Sequence, residues 1–235
     1  MSIAISIRSS LLRERVSSRP KLLWALFLGA FISSTACATP PSAKDAISNQ
    51  FWGNLYKKGG QTFYCKKSFS KKNPLIAASY IYPQGSIRQH LGCGTKRQCL
   101  RDSAEYNRIA SDLHNVVPAD SYFEMKRTNT VFGALDSDIE ANDCGIKRMM
   151  HIIEPPAAVR GDIARVIFYM HQTYNLPVIG SPAVLEAWNK IDPPSADEIA
   201  RSKQIYELQG NANPLLSVSN VASHSSMNDN AINVN

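Results

Sequence analysis

Residues 157–174 read AAVRGDIARVIFYMHQTY, with Val159, Ile163, Val166, Ile167, Met170 and Tyr174 recurring at three- and four-residue spacings. That spacing lines one face of a helix with apolar side chains, and Pro155-Pro156 just upstream marks where the helix must begin. A long core helix is therefore predicted here. Weaker versions of the same signal flank it. Tyr106, Ile109, Ala110 and Leu113 predict a helix from Ser103 that ends near Asn115. Ser121 and Glu124 stand at capping-box spacing and predict a second; Ser181-Pro182 opens another through Lys190, and Ser195 with Glu198 caps one that stops at Gly210. Further upstream, Gly59-Gly60, Asn73-Pro74 and Pro83-Gln84-Gly85 break up short β-prone pieces at 62–64 and 78–82. The mixture predicts a mainly helical α+β fold in a single domain over residues 51–216. One core suits a chain of 235 residues with 44% hydrophobic composition once its ends are set aside.

At the N-terminus, Arg8, Arg13, Arg15, Arg19 and Lys21 precede an apolar run from Leu22 to Ile32 and then small residues through Ala38. That order is a secretory signal peptide, assigned to residues 1–38. The run holds about eleven residues, too few to cross roughly 30 Å of hydrocarbon as a helix, so no permanent membrane span is expected. Ala36-Cys37-Ala38 fits cleavage before Thr39, with a lipid-modified Cys37 as the alternative. Residues 39–50, rich in Pro, Ser, Ala and Asn, are read as a linker. Residues 217–235 have little to bury and are read as a disordered tail. The expected product is an exported protein of the periplasm or the extracellular space, taken as a monomer.

With Cys37 removed, Cys65, Cys93, Cys99 and Cys144 remain, an even number in an oxidising compartment, which predicts two disulfides. Three connectivities are open. The short loop favours Cys93 with Cys99, leaving Cys65 with Cys144, and the lack of a Cys-x-x-Cys pair disfavours zinc.

The formal charge of +7 says little, because four of those charges depart with the signal segment. Its distribution says more. Residues 51–101 carry Lys57, Lys58, Lys66, Lys67, Lys71, Lys72, Arg88, Lys96, Arg97 and Arg101 and no Asp or Glu. Density of one sign suits a polyanion, because each neutralised phosphate releases condensed counterions. Lys66, Lys67, Lys71, Lys72 and Arg97 are the candidate nucleic-acid contacts; a solvated basic face is the alternative.

Several phrases in order resemble the bacterial endonuclease I family of periplasmic and extracellular nucleases. They are Phe51-Trp52 through Tyr64-Cys65, Cys93-Gly94-Thr95-Lys96-Arg97-Gln98-Cys99, Ser111-Asp112-Leu113-His114-Asn115, Glu154-Pro155-Pro156, Arg160-Gly161-Asp162 and Ala187-Trp188-Asn189-Lys190. The resemblance implies a ββα-metal core that cleaves DNA, and often RNA, without sequence preference using one divalent cation such as Mg2+. Water is a poor nucleophile at neutral pH, so a base must take its proton while a hard cation on oxygen ligands stabilises the phosphate.

In that family the general-base histidine and a metal-binding glutamate lie side by side in a Glu-His-Val-x-Pro phrase. Here that place reads Ser79-Tyr80-Ile81-Tyr82-Pro83, putting Ser79 at the glutamate and Tyr80 at the histidine. Serine carries no charge for a cation, and a phenol of ordinary pKa near 10 is a weak proton acceptor. Tyr80 or His90 is left to assist the water. Glu124 falls at the family's second ligand position, its alternative role being the capping partner of Ser121. Lys126 stands where the family has an acid. Lys96 and Arg127 are the candidate phosphate contacts, Arg127 having a structural alternative. His114 and Asn115 are read as structural. The expected function is metal-dependent DNA or RNA hydrolysis at an impaired site; the alternative is an inactive nucleic-acid-binding or envelope interaction protein on the same fold.

Overall fold

The computed structural model describes residues 42–127 and 130–216; the signal segment, Cys37 and the tail from 217 onward lie outside them. A helical turn, α1 (Ala43–Asp45), runs into a π-helical stretch, Ala46–Leu55. Residues 43–50, read as linker, are thus helical. Ser42 caps the turn by accepting from the Asp45 amide at 3.2 Å, and Ala43, Ala46, Phe51 and Trp52 are buried. Two short strands follow, β1 (Gly60–Gln61) and β2 (Ser68–Phe69), paired antiparallel. Residues 62–64, expected as strand, lie in the connection, where Thr62 and Lys67 close a tight turn through Thr62 N to Lys67 O at 2.9 Å.

The central ladder joins β3 (Ile76–Tyr80) to β4 (Val116–Asp120), antiparallel, with Ser79 opposite Val117 and Tyr80 opposite Val116. Between them lie α2 (Gln84–Leu91), α3 (Lys96–Asp102) and α4 (Ala104–Ala110), then a 3-10 turn, Leu113–Asn115. Helix α5 (Ser121–Arg127) leaves β4 without a loop and packs back on β3 and β4, completing a ββα unit. Its first amides are not held by Ser121. Asp120 Oδ1 accepts from Tyr122 N at 2.9 Å and Phe123 N at 3.2 Å, while Ser121 Oγ donates to Pro74 O. The Ser121–Glu124 capping box is therefore absent, and the Glu124 carboxylate is free for other work. A three-stranded sheet in the order β5 (Val131–Phe132), β7 (Ile152–Glu154), β6 (Lys147–Met149) leads to the long helix.

That helix, α6 (Arg160–Tyr174), follows a 3-10 turn at Ala157–Val159 and buries Ile163, Ile167 and Met170 completely, as its periodicity predicts. Helices α7 (Pro182–Ile191) and α8 (Ala196–Gln209) follow, the latter closed by Gly210 in the left-handed region at φ 74°. The main core gathers β4, α4, α6 and α7 with Ile81 and Tyr82; a second cluster joins Phe51, Trp52, Phe69, Leu113, Val116 and Ile205, with Ile76, Ala78 and Tyr80 of β3 packed against it. Disulfides Cys65–Cys144 and Cys93–Cys99 close the pairing favoured from the sequence. The first spans 79 residues, a loop length for which chain entropy gives about 4 kcal/mol. No helix of the described residues is long and apolar enough to cross a membrane.

A buried guanidinium locks α6 to α8. Arg165, 1% exposed, donates to both oxygens of Glu198 at 2.9 and 2.6 Å and to Asp162 at 2.8 Å. One cation between two carboxylates leaves a surplus negative charge out of water. Burial first, then Glu198, pushes Asp162 up to about 7. An unfolded Asp titrates near 3.9, so between about pH 4 and 7 the folded state holds a proton that the unfolded state has lost. Stability from this group is complete below that window and declines as pH rises through it. Melting temperature should accordingly fall across pH 4 to 7, and Asp162→Asn should flatten the slope; an unchanged slope in the variant would refute the assignment.

Candidate active site

Strand alternation separates the two residues that sequence placed together. Successive side chains of β3 point to opposite faces. Ser79, fully buried, donates its hydroxyl to Glu124 Oε2 at 2.5 Å across to α5. Tyr80 turns the other way and donates to Ala110 O at 3.0 Å, packed against the second core cluster. Burial, then Tyr106, pushes the Tyr80 phenol well above its ordinary value, so at neutral pH it is a bound proton donor. Tyr80 is thus not available as a proton acceptor facing Glu124. His90 sits exposed in the last turn of α2. His114 is buried with Nε2 3.1 Å from Asn211 O, and His171 Nδ1 lies 2.6 Å from Leu176 O. Among the described residues, no histidine hydrogen-bonds to Glu124 or Ser79.

Arg127 holds this corner rigid. Only 1% exposed, it donates through Nη1 to Ser79 Oγ at 3.1 Å and to Tyr80 O, and through Nη2 to Ile81 O at 2.6 Å. Its guanidinium also stacks over Phe132, 4.8 Å from the ring centroid. Both Nη atoms are committed and the group is out of solvent, which favours its structural alternative over a phosphate contact. Asn115 extends the clamp, accepting from Tyr82 N at 2.6 Å and donating to Tyr82 O at 3.0 Å. The end of β3 is therefore fixed from two sides.

Glu124 is the carboxylate at the centre. Its side chain is 29% exposed, and Oε2 lies 3.8 Å from Arg127 Nη1. Burial pushes its pKa up, while Arg127 and the Ser79 hydroxyl pull the other way. The Tyr64 hydroxyl is also buried here, near Ser79 but without a well-formed hydrogen bond. Three oxygens of two chemical kinds thus converge: one carboxylate and two neutral hydroxyls. Hard cations take oxygen donors, and Mg2+ keeps several waters while using one or two carboxylates plus substrate oxygens. Among the described residues no group of three His, Cys, Asp or Glu side chains could hold a metal ion; Glu124, the only one of the three groups here that reaches solvent, is the single charged oxygen donor. Arg127 beside Oε2 weakens any cation binding there.

The predicted basic contacts do not form one face. Lys96 and Arg97 share an open patch on α3 with Leu100 and Arg101. Lys66, in the left-handed region at φ 52°, lies over Phe63 and faces a cavity of about 440 Å³, whereas the adjacent Lys67 points to a different cavity and pairs with Asp120 at 3.9 Å. Lys72 caps the Trp52 ring at 5.9 Å. Tyr64 was not singled out from sequence; Ser79 was placed at the family's glutamate position but not as the hydrogen-bond partner of Glu124.

Known proteins bear on this geometry. Residues 42–219 match the Endonuclease I family. An Endonuclease-1 of Buchnera aphidicola subsp. Acyrthosiphon pisum (strain APS) is 36% identical over 167 residues, covering 68% of this chain, which spans 65% of that protein's length. A periplasmic deoxyribonuclease of Aeromonas hydrophila is 29% identical over 234 residues, covering 85% of this chain and 98% of the relative. An extracellular ribonuclease of Bacillus amyloliquefaciens is 31% identical over 125 residues, 45% of this chain and 43% of the relative. With most of the described residues matched and the ββα unit in place, the chain belongs to the endonuclease I family.

Proposed function

We propose that the chain is an exported nuclease that hydrolyses phosphodiester bonds of DNA or RNA without sequence preference, slowly, around a single carboxylate, Glu124. One observation carries this reading: Ser79 on β3 and Glu124 on α5 meet at 2.5 Å, so the acidic group lies on the helix rather than on the strand. Glu124 is the residue that would hold a divalent cation, which when bound would offset charge on the phosphate. Ser79 and Arg127 orient Glu124. Relatives described as periplasmic and extracellular deoxyribonucleases, together with two disulfides, support action outside the cytoplasm. The lack, among the described residues, of an imidazole hydrogen-bonded to Glu124 or Ser79 favours a second reading, a binder that does not cut.

Digestion of supercoiled plasmid and of RNA by the purified, oxidised protein separates the two. Slow cleavage in magnesium that stops on adding chelator is the expected result. Undiminished cleavage in chelator, or none in magnesium at any protein concentration, would reject the nuclease reading.

A further inference from the structure

Helix α5 has a second working side. Tyr122 and Lys126 are four residues apart and share a face, whereas Glu124, two residues from each, lies about 200° round the helix. Tyr122 is 61% exposed, with Lys126 Nζ 4.2 Å from its ring centroid. Both line a cavity of about 750 Å³ whose walls also carry Lys67, Arg148, Asp120, Glu140 and Asp143, Lys67 being paired with Asp120 at 3.9 Å. The volume is within the range of small-ligand sites, and an exposed ring beside an exposed ammonium is not explained by packing.

We infer that this cavity is a base-binding subsite for single-stranded nucleic acid, with an unpaired base against Tyr122 and its phosphate on Lys126. The inference rests on the nuclease reading and adds a strand preference to it. The pairing of ring and ammonium commits it to this occupant: Lys126 stands beside the exposed Tyr122 ring, so a π-face and an adjacent anion are recognised together. The carboxylates of Glu140 and Asp143 can accept from exocyclic amino groups on a base edge, a role that a second phosphate could not fill. A helix is about 10 Å across, so one strand crossing α5 would reach both Tyr122 and Glu124. Stacked bases inside a duplex present no free face, which is why the preference is for unpaired strand.

The test is fluorescence anisotropy of the oxidised protein in chelator, using labelled oligodeoxycytidylate, its ribose counterpart and a duplex. Tyr122→Ala should weaken binding of either single strand about tenfold and leave the duplex within about twofold, while Tyr122→Phe keeps wild-type affinity. Lys126→Ala should weaken all three ligands and lower the salt dependence. Equal loss for single strand and duplex, or no loss in Tyr122→Ala, would overturn the subsite and leave the nuclease reading standing. Failure of the wild-type protein to bind any of the three would overturn both.

Discussion

Glu124→Gln should cost at least about a hundredfold in cleavage while the protein stays folded, because outer-shell changes alone cost 10- to 100-fold and Glu124 is the proposed direct ligand. The amide oxygen can still accept from the Ser79 hydroxyl, so the hydrogen bond at 2.5 Å keeps its geometry and only the charge is lost. A folded variant without activity is the expected outcome of a plasmid assay paired with a circular dichroism spectrum. Glu124→Ala should be equally inactive and somewhat less stable, since Arg127 then loses its counter-charge 3.8 Å away. Full cleavage by either variant would remove Glu124 from the chemistry.

Arg127→Met should be the most destabilising single change near the site, by about 3–5 kcal/mol, the cost of leaving a charge partner alone in a buried pair. Three acceptors lose their donor at once: Ser79 Oγ, Tyr80 O and Ile81 O. With total stability of about 5–15 kcal/mol for a typical domain, and about 2–4 °C per kcal/mol at this size, the melting temperature should drop by about 10 °C. Arg127→Lys should fall between, because an ammonium keeps the charge but cannot span both carbonyls as the guanidinium fork does. A thermal melt reads both. An Arg127→Met protein within 2–3 °C of wild type, a shift of about 1 kcal/mol, would mean that the strand end is held by something else.

Much of the helical frame was legible because its signals are local. The apolar period of α6, the proline that opens α7 and the Ser195 cap of α8 each act within one or two turns, and each appears where expected. Cysteine pairing was legible for a related reason, loop length. Capping of α5 was misread because two oxygen-bearing side chains, Asp120 and Ser121, stand next to each other, and only the packing of Pro74 against Ser121 decides which one caps. Residues 43–50 looked like linker by composition, yet Ala43 and Ala46 are small enough to lie flat against the core.

The site itself was half legible. Resemblance located Ser79, Tyr80 and Glu124, but a one-dimensional match places neighbours side by side, whereas a strand sends them to opposite faces. Tyr80 therefore ends beneath α4, not beside Glu124. The basic run of residues 51–101 shows the same limit. Lys66 and Lys67 are adjacent in sequence, yet the left-handed backbone at Lys66 sends them to different cavities. Charge counts along a chain do not report which face receives the charge.

A weak divalent-cation site that depends on Glu124 is most directly tested by titrating Mn2+ into the oxidised wild-type protein and into Glu124→Gln, followed by water-proton relaxation. One weak site in the wild-type protein, lost in the variant, is predicted. Equal binding by both proteins would contradict it, placing the cation, and with it the chemistry, away from the meeting point of β3 and α5.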